Sequence, residues 1–335
     1  MSILVVGGAG HVGSAIVEAV SGAGLTVHAL VRRPAPRLEA YAQVHVGDAR
    51  RGDLGLDPDV ATGLAAEVDA VVFCAGTFDL SISLSAAQAE HLAPLRGALA
   101  FAGRCTGLRS FVLLSSLLAI GDVRRRVRSD LMPDPVRHRN FYEWAKLQGE
   151  QIARHSGLPV DVVRAGHVLG RAEPDPDRPG VARPQALLEL LPLLAAGWPL
   201  PIVGTNRYWC CPPELVAQVV LDRVQRGSGG SSVWAVDPGS PTMVEILDLV
   251  NARYGMRVKR VRSAPLARTL AAVVRPGWLD LSVRREVLDY CTAHWDLDLG
   301  CLSELTDAGR VTPPADRGYL VRTLDHEMAR LRELA

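Results

Sequence analysis

Residues 2 to 13 are Ser2-Ile3-Leu4-Val5-Val6-Gly7-Gly8-Ala9-Gly10-His11-Val12-Gly13. The first five form a short apolar run, which is typical of a buried parallel strand. The rest contains G-x-G-x-x-G, and apolar residues at helical spacing follow it. Glycines in such a turn let the backbone approach a pyrophosphate closely, and the N–H groups that open the next helix point at the phosphates. We therefore predict a dinucleotide site, against the alternative of an ordinary glycine-rich turn, and its predicted residues here are Gly7, Gly10, His11, Val12 and Gly13.

The second predicted strand, Thr26 to Val31, indicates which dinucleotide is bound. A site for NAD usually has Asp or Glu at the end of this strand, where it holds the ribose 2′-hydroxyl. Here the strand runs into Arg32 and Arg33. Guanidinium groups suit a 2′-phosphate, which they bind through charge-assisted hydrogen bonds. The pattern favours NADP (NADPH) over NAD; the alternative is that these arginines are solvated loop charges.

Further short apolar runs alternate with helical patterns along the chain. The predicted strands are 44–46, 70–73, 111–114 and 160–164, and a helix is predicted over roughly 85–104. This alternation predicts an α/β fold, a Rossmann-type doubly wound parallel sheet, with ligands outside the carboxyl ends of the strands. At those ends stand Asp48, which could accept a hydrogen bond from adenine or cap its own loop, and the small residues Ala75 and Gly76, which would let backbone approach the cofactor.

Tyr142 and Lys146 form a Tyr-x-x-x-Lys pair in a predicted helix. Residues four apart share a helix face, so the ammonium can stand beside the phenol and lower its pKa. Lys146 is one of only two lysines in a chain with 35 arginines. A phenol tuned in this way can give a proton to a carbonyl oxygen or take one from an alcohol. The alternative is a surface Tyr and Lys on an amphipathic helix.

The composition limits the classes of function. The chain has 335 residues, 48% of them hydrophobic and 22% charged, so a sizeable core can be buried. A net charge of +1 gives no indication of a nucleic-acid or anionic-membrane partner. The six cysteines show neither a C-x-x-C pair nor zinc spacing, so we expect reduced thiols, no metal site and a cytoplasmic protein. We expect no signal peptide and no membrane span, because the chain has no basic n-region and no long apolar stretch.

The composition shifts near residue 172. A Pro- and Asp-rich loop over 173–180 is followed by a leucine-rich helical pattern over 186–195, which could be core or line an apolar pocket. We predict a cofactor domain over 1–171 and a mainly substrate-binding region over 172–335, with the 201–240 region adding late elements to the first. Helices are predicted over 214–226 and 242–253 and a strand over 233–236.

The glycine turn, a strand that ends in Ser115-Ser116, and Tyr142 with Lys146 some 26 residues later follow one another in this order. The order resembles the extended short-chain dehydrogenase/reductase family. The resemblance implies a smaller C-terminal substrate domain, and that Ser116, five residues before Gly121, hydrogen-bonds the reacting oxygen. It further implies that Tyr142 is the acid/base, that Lys146 binds the nicotinamide ribose and lowers the pKa of Tyr142, and that Ser115 is a structural neighbour.

Two stretches, 47–57 and 66–75, look like the thioester-reductase and fatty-acyl reductase branch of that family, as do 281–298 and 313–314. This likeness implies reduction of an acyl thioester, on a carrier protein or coenzyme A, with NADPH. The basic run 124–128 could meet a phosphate of such a substrate or be a solvated loop. Many relatives pair their helices near 85–104 and 140–155 across a dimer, which makes a homodimer an expectation.

Two departures from the family pattern stand out. Members usually carry Asn-Val-x-Gly-Thr on the helix before the fifth strand, where the Asn orders the active-site region, whereas this chain has His91-Leu92-Ala93-Pro94-Leu95. His91 could replace the Asn or be structural, and Pro94 is expected to kink or break the helix. The family's Arg-Pro-Gly or Arg-Pro-Ser is Arg164-Ala165-Gly166 here, which suggests an altered substrate or reaction.

The leading hypothesis is an NADPH-dependent reductase of an apolar carbonyl or acyl thioester, small or carrier-bound. An NAD-dependent nucleotide-sugar epimerase or dehydratase is the second hypothesis, although it would need an acidic residue at the position that Arg32 occupies. A nucleotide-sensing protein and a tailoring enzyme without net redox change, both on the same fold, stay open, because fold alone does not determine reaction type.

Overall fold

The structure, a computed structural model, describes residues 1–123, 125–130, 136–171, 206–226, 229–256, 290 and 293–334. The leucine-rich stretch 186–195, the loop 173–180 and most of 281–298 lie outside these residues, so the predictions made for them are not addressed. The predicted boundary at 171/172 also stays a prediction.

Seven parallel strands form one sheet. Their bounds are β1 Ser2–Val6, β2 Thr26–Val31, β3 Gln43–Val46, β4 Ala70–Phe73, β5 Ser110–Ser116, β7 Val160–Ala165 and β10 Ser232–Ala235. Their order in the sheet is β10-β7-β5-β4-β1-β2-β3. Consecutive strands β1, β2 and β3 are neighbours, and the order reverses at β1, where β4 pairs on its other side. The cleft at such a reversal is where ligands bind in doubly wound sheets, and the prediction of a Rossmann-type fold is confirmed.

Helices cover both faces of the sheet. They are α1 His11–Gly22, α2 Pro58–Glu67, α3 Leu84–Ala87, α4 Ala93–Ala102, α5 Phe141–Arg154, α6 Pro213–Arg226, α7 Met243–Tyr254, α8 Gly300–Asp307 and α9 Gly318–Leu334. Because side chains alternate along a strand, Ile3 and Val5 of β1 join the core that contains α1 and α6, whereas Leu4 and Val6 join the core that contains α2 and α4. The apolar run of β1 is therefore buried on both faces.

The helix predicted over roughly 85–104 is interrupted. A π-helical turn, Gln88–Leu92, joins α3 to α4, and Pro94 is the second residue of α4. A proline near the start of a helix lacks only an N–H that would have had no partner in that helix. The expected break at Pro94 is thus realised as a π turn that contains His91.

Two short strand pairs connect later parts of the chain to this sheet. Val127–Arg128 (β6) pairs with Leu297–Asp298 (β11), and His167–Val168 (β8) pairs with Cys210–Cys211 (β9). The indole of Trp295 donates a hydrogen bond to the carbonyl oxygen of Gly121, at 3.0 Å. These contacts place residues near 295 beside the loop that follows β5.

The predicted late elements lie close to their expected positions. α6, β10 and α7 correspond to the predictions for 214–226, 233–236 and 242–253, and Thr242 and Glu245 form the capping box of α7. Cys210 and Cys211 are buried and free, as are three half-buried or buried cysteines elsewhere in the described chain. Within the described residues, no helix combines the length and the apolar character that crossing a membrane requires.

Candidate active site

A cavity of about 870 Å³ opens at the carboxyl ends of β1, β2, β3 and β4. The glycine turn forms its floor. Gly7 has a φ of +95°, and a Cβ there would come within 2.8 Å of the Ala75 backbone; a Cβ on Gly13 would overlap the carbonyl oxygen of Gly7. The absence of these side chains leaves the backbone open, as a pyrophosphate requires, so the cavity fits a dinucleotide. Ala75 and Gly76 line it as well.

Four arginines line this cavity after β2 and β3, of which the sequence pattern indicates only Arg32 and Arg33. Arg50 and Arg51, on the loop after β3, line it too. His11 is the first residue of α1, and its Nε2 lies 2.7 Å from the carbonyl oxygen of Leu169, so it ties the glycine turn to the chain after β8. Val12 follows it in α1 and is half-buried.

Asp48 also lines the cavity, but its carboxylate is already bound. Both carboxylate oxygens accept hydrogen bonds from the Arg50 guanidinium, the shortest at 2.6 Å, and Oδ1 accepts the backbone N–H of Arg50 at 3.0 Å. The hydrogen bonds from Arg50 lower the pKa of Asp48 to about 2. Of the two interpretations of Asp48, the loop cap is therefore present, and the contact with adenine stays a prediction.

Ser116, Tyr142 and Lys146 lie together at the carboxyl end of β5. Ser116 is the last residue of the strand, and its Oγ accepts the N–H of Leu118 at 3.2 Å. Asn140 caps α5 by accepting the N–H of Glu143, which sets the start of the helix that carries Tyr142 and Lys146. The Tyr142 side chain lies near that of Ser116, and Lys146 Nζ lies 5.6 Å from the centre of the Tyr142 ring.

The electrostatics of this cluster differ from the expectation. Burial raises the pKa of Tyr142 above its usual value, although the nearby Ser116 side chain acts in the opposite direction. Burial also lowers the pKa of Lys146 to about 8, against the opposing effects of Cys74 and Glu150. Desolvation of the buried phenol determines the direction of this shift, and the effect of Lys146 on the pKa of Tyr142 stays a prediction.

His91 belongs to this cluster. It is only 4% exposed, and its ring meets the Tyr142 ring edge to face. A Cβ on Gly76, whose φ is +140°, would lie 2.9 Å from His91 Nδ1 and 3.9 Å from Lys146 Nζ. His91 thus fills the space behind the cavity wall at Gly76. Burial, helped by Lys146, lowers the pKa of His91 to about 3, which keeps the imidazole neutral.

A buried ion pair supports the cluster one turn further along α5. Arg164 on β7 donates two hydrogen bonds to Glu150, at 2.9 and 2.7 Å, and both side chains are buried. Ser115 donates a hydrogen bond to Glu150 at 2.6 Å. Ser115 therefore has the structural role predicted for it, and Arg164 of the altered Arg164-Ala165-Gly166 stretch anchors the helix that carries Lys146.

The basic run after β5 is partly structural. Val127 and Arg128 form β6, Arg128 pairs with Asp130 at 2.6 Å, and Arg126 lies 3.7 Å from Asp298. In the described part of the chain, no group of His, Cys, Asp and Glu is arranged to hold a metal ion.

Comparison with known proteins gives the chain a family. The sequence model of the "NAD dependent epimerase/dehydratase family" matches residues 3–193. The chain belongs to this family. The matched residues run from β1 past β8 and include Ser116, Tyr142 and Lys146.

Solved structures of this extended short-chain dehydrogenase/reductase type resemble the chain in fold. The terminal R domain of the myxalamid PKS-NRPS biosynthetic pathway has a TM-score of 0.76 at 18% identity, with 98% of this chain and 90% of that one covered. A thiolation-reductase di-domain from an archaeal non-ribosomal peptide synthetase has a TM-score of 0.75 at 14% identity, covering 100% and 76%.

A third neighbour is the UDP-glucuronic acid 4-epimerase from Bacillus cereus in complex with UDP-glucuronic acid and NAD. It has a TM-score of 0.66 at 16% identity, with 98% of this chain and 100% of that one covered. No curated protein sequence matches the chain. At these identities the neighbours establish the fold of this family member, and its site residues and reaction depend on its own geometry.

Proposed function

We propose that the protein is an NADPH-dependent oxidoreductase that reduces the carbonyl or acyl thioester of a largely apolar substrate in biosynthesis. One observation carries the proposal. Tyr142 lies near the Ser116 side chain while Lys146 lies against the same ring, beside Gly76 on the wall of the dinucleotide cavity. This places a proton donor next to a cation and a second hydroxyl group.

The residues that would hold the cofactor are those of the cavity. Gly7, Gly10 and Gly13 leave room for the pyrophosphate, and Arg32 and Arg33 suit a 2′-phosphate. Asp48 is engaged by Arg50, which disfavours a carboxylate contact with a ribose hydroxyl. When bound, the nicotinamide supplies the hydride for the reduction.

The chain supplies the proton and the environment for the reaction. Ser116 would hydrogen-bond the substrate oxygen, and Tyr142 would give that oxygen its phenolic proton. Because burial raises the pKa of Tyr142, the phenol keeps its proton at neutral pH, as a donor in reduction must. Phe78, whose ring centroid lies 5.2 Å from that of Tyr142, helps to exclude water.

Similarity in fold supports an acyl thioester as the substrate class. Two of the similar structures are described as an R domain and a thiolation-reductase di-domain. We propose a substrate delivered on a carrier protein or coenzyme A. A cytoplasmic setting and a homodimer belong to the same proposal, and the free cysteines favour the former.

An NAD-dependent nucleotide-sugar epimerase is the second candidate. It is favoured by the family description and by the neighbour that binds NAD and a UDP-sugar. The arginines at the end of β2 argue against it, since the adenosine ribose of NAD carries no 2′-phosphate for them. Purified protein that carries tightly bound NAD and discriminates against NADPH would support this second function.

Tyr142→Phe tests the leading function. The variant lacks the proton, so turnover of a reducible thioester or ketone should fall about 10²-fold or more, while NADPH binding, followed by fluorescence, should stay close to that of the parent. Tyr41→Phe is the matched control, because Tyr41 is exposed and lies outside the cluster. Unchanged turnover in Tyr142→Phe would contradict the assignment.

A further inference from the structure

The loop that follows β3 is held in an uncommon conformation. Asp53 and Leu54 have φ values of 52° and 59°, in the left-handed region that non-glycine residues seldom occupy. Two such residues in succession are strained and persist only when the surroundings fix them. The Asp48 N–H donates a hydrogen bond to the Leu54 carbonyl oxygen at 2.7 Å, which closes the loop, and the Leu54 side chain is buried.

The same loop is fixed to α4 from outside. Asp53 forms an ion pair with Arg104, just beyond the end of that helix. Gly97 of α4 packs directly on the loop, since a Cβ at this position would overlap the carbonyl oxygen of Ala49. These contacts hold residues 48–55 in one position against the body of the domain.

What this loop presents to the cavity is a pair of guanidinium groups. Arg50 and Arg51 both line the cavity, as do Arg32 and Arg33. The two loop arginines differ in their partners. Arg50 is bound to Asp48 by its side chain and its backbone, whereas Arg51 forms no ion pair with any residue that the structure describes.

The charge of Arg51 helps to lower the pKa of Asp48, but its guanidinium forms no ion pair among the described residues and can bind a ligand. The carboxylates that line the cavity are Asp48 and Glu90; the first is engaged by Arg50 and the second accepts a hydrogen bond from Thr77 at 2.9 Å. Guanidinium groups match phosphate oxygens in geometry and charge. A rigid loop that presents such a group at a cavity wall is the arrangement expected of a recognition element.

We propose that Arg51 is a specificity-determining residue, a third guanidinium that binds the phosphate monoester on the adenosine ribose together with Arg32 and Arg33. In this arrangement Arg50 is a positioning residue, which holds Asp48 and thereby the loop. The inference rests on the proposed use of NADPH and assigns a ligand to a residue outside the glycine turn and outside the end of β2.

The test is a fluorescence titration of the parent protein, Arg51→Gln and Arg37→Gln with NADPH and with NADH. Arg37 is the matched control, since it is an arginine of the same region that does not line the cavity. Arg51→Gln should weaken NADPH binding about tenfold or more and leave NADH binding unchanged, because only NADPH carries the monoester. The loss should shrink at high salt.

Adenosine 2′,5′-bisphosphate and AMP, titrated in competition, separate the phosphate from the rest of the cofactor. Arg51→Gln should weaken the binding of adenosine 2′,5′-bisphosphate but not the binding of AMP. Arg51→Lys keeps a cation at this position, so its affinity for the bisphosphate should lie between that of the parent and that of Arg51→Gln. The proposal is overturned if Arg51→Gln leaves the preference for NADPH intact, weakens both nucleotides equally, or is matched by Arg51→Lys.

The parent protein distinguishes this inference from the function on which it rests. If the parent does not prefer NADPH over NADH, the proposed use of NADPH fails, and the role of Arg51 fails with it. If the parent prefers NADPH and the preference survives Arg51→Gln but is lost in Arg32→Gln, the function stands and only the inference about Arg51 is wrong.

Discussion

The imidazole of His91 stands edge-on to the phenol ring of Tyr142, with ring centroids 5.6 Å apart and ring planes at 83°. Its Nε2 is buried and has no hydrogen-bond partner among the described residues. An unpaired buried nitrogen typically costs about 1–3 kcal/mol, and such groups concentrate at functional sites. His91 is therefore a candidate for positioning Tyr142 and Lys146.

Substitutions of His91 distinguish the contribution of its ring shape to turnover from the contribution of its ring nitrogens. His91→Phe keeps a flat ring against Tyr142 but removes both nitrogens and with them any polar positioning of Tyr142 and Lys146, so kcat should fall about tenfold, roughly the effect of one interaction of hydrogen-bond size. KM for NADPH should change little, because His91 does not line the cavity. His91→Asn, which can still donate and accept a hydrogen bond, should recover part of kcat. Parent-like turnover in His91→Phe would show that only the shape matters.

The pH dependence of reduction should be governed by Lys146. Its pKa is lowered by burial to about 8, so the ammonium loses its proton as the pH rises through that value. Reductive kcat/KM should be flat between about pH 6 and 7.5 and fall towards tenfold per pH unit above about pH 8. His91, with a pKa of about 3, should add no step in this range.

A pH–rate profile of Lys146→Arg checks this assignment. The guanidinium keeps its charge, so the variant should be less active but should lack the basic limb near pH 8. If the fall in kcat/KM above about pH 8 persists unchanged in Lys146→Arg, the group that titrates there is not Lys146.

The desolvated ammonium of Lys146, which is half-buried, should also reduce the stability of the fold. The pKa of Lys146 is about 10.5 in an unfolded chain and about 8 in the folded one, so the unfolded chain binds more protons between these values. Below about pH 8 the full penalty is present, and it disappears as the pH rises towards 10.5. Lys146→Met should then be more stable at pH 7 by about 1–2 kcal/mol, less than the whole pKa difference implies because Lys146 is partly exposed.

Urea unfolding of the parent and of Lys146→Met at pH 7 and at pH 10.5 measures this effect. The difference in the free energy of unfolding should be largest at pH 7 and should narrow at pH 10.5. A methionine variant that is less stable at pH 7 would mean that the ammonium has favourable partners that outweigh its desolvation.

The sequence predicts those parts of the site that depend on local patterns. The largely apolar stretch Ser2 to Val6 predicts the buried strand that precedes the glycine turn. The apolar run 111–114 likewise predicts the strand at whose end Ser116 lies. Tyr142 and Lys146 are brought to one side by helix geometry alone. In each case, neighbours in sequence determine the position.

Other parts depend on contacts between distant residues and have no local signal. His91 reaches Tyr142 through a π turn that the proline suggests only as a kink, and Arg51 lines the cavity from a loop that contains two left-handed residues, Asp53 and Leu54, neither of which is a glycine. The direction of the Tyr142 pKa follows from burial against Phe78 and His91, which the Tyr-x-x-x-Lys spacing does not reveal.

The ion pair between Arg164 and Glu150 should behave as a single unit. Arg164 is buried, donates a further hydrogen bond to the Ser129 carbonyl oxygen at 2.9 Å, and lies 5.1 Å from the centre of the Trp234 ring. Arg164→Met leaves the Glu150 carboxylate buried without its cation, which should lower the free energy of unfolding by about 3–5 kcal/mol. Adding Glu150→Gln should restore part of that loss, because the amide carries no charge.

A double-mutant cycle by urea unfolding measures the coupling between the two residues. Glu150 also raises the pKa of Lys146, so Glu150→Gln should move the basic limb of the pH–rate profile to lower pH. Single losses that simply add in the double variant would contradict the prediction that the two residues form one unit. A limb that stays in place in Glu150→Gln would show that Glu150 does not act on Lys146.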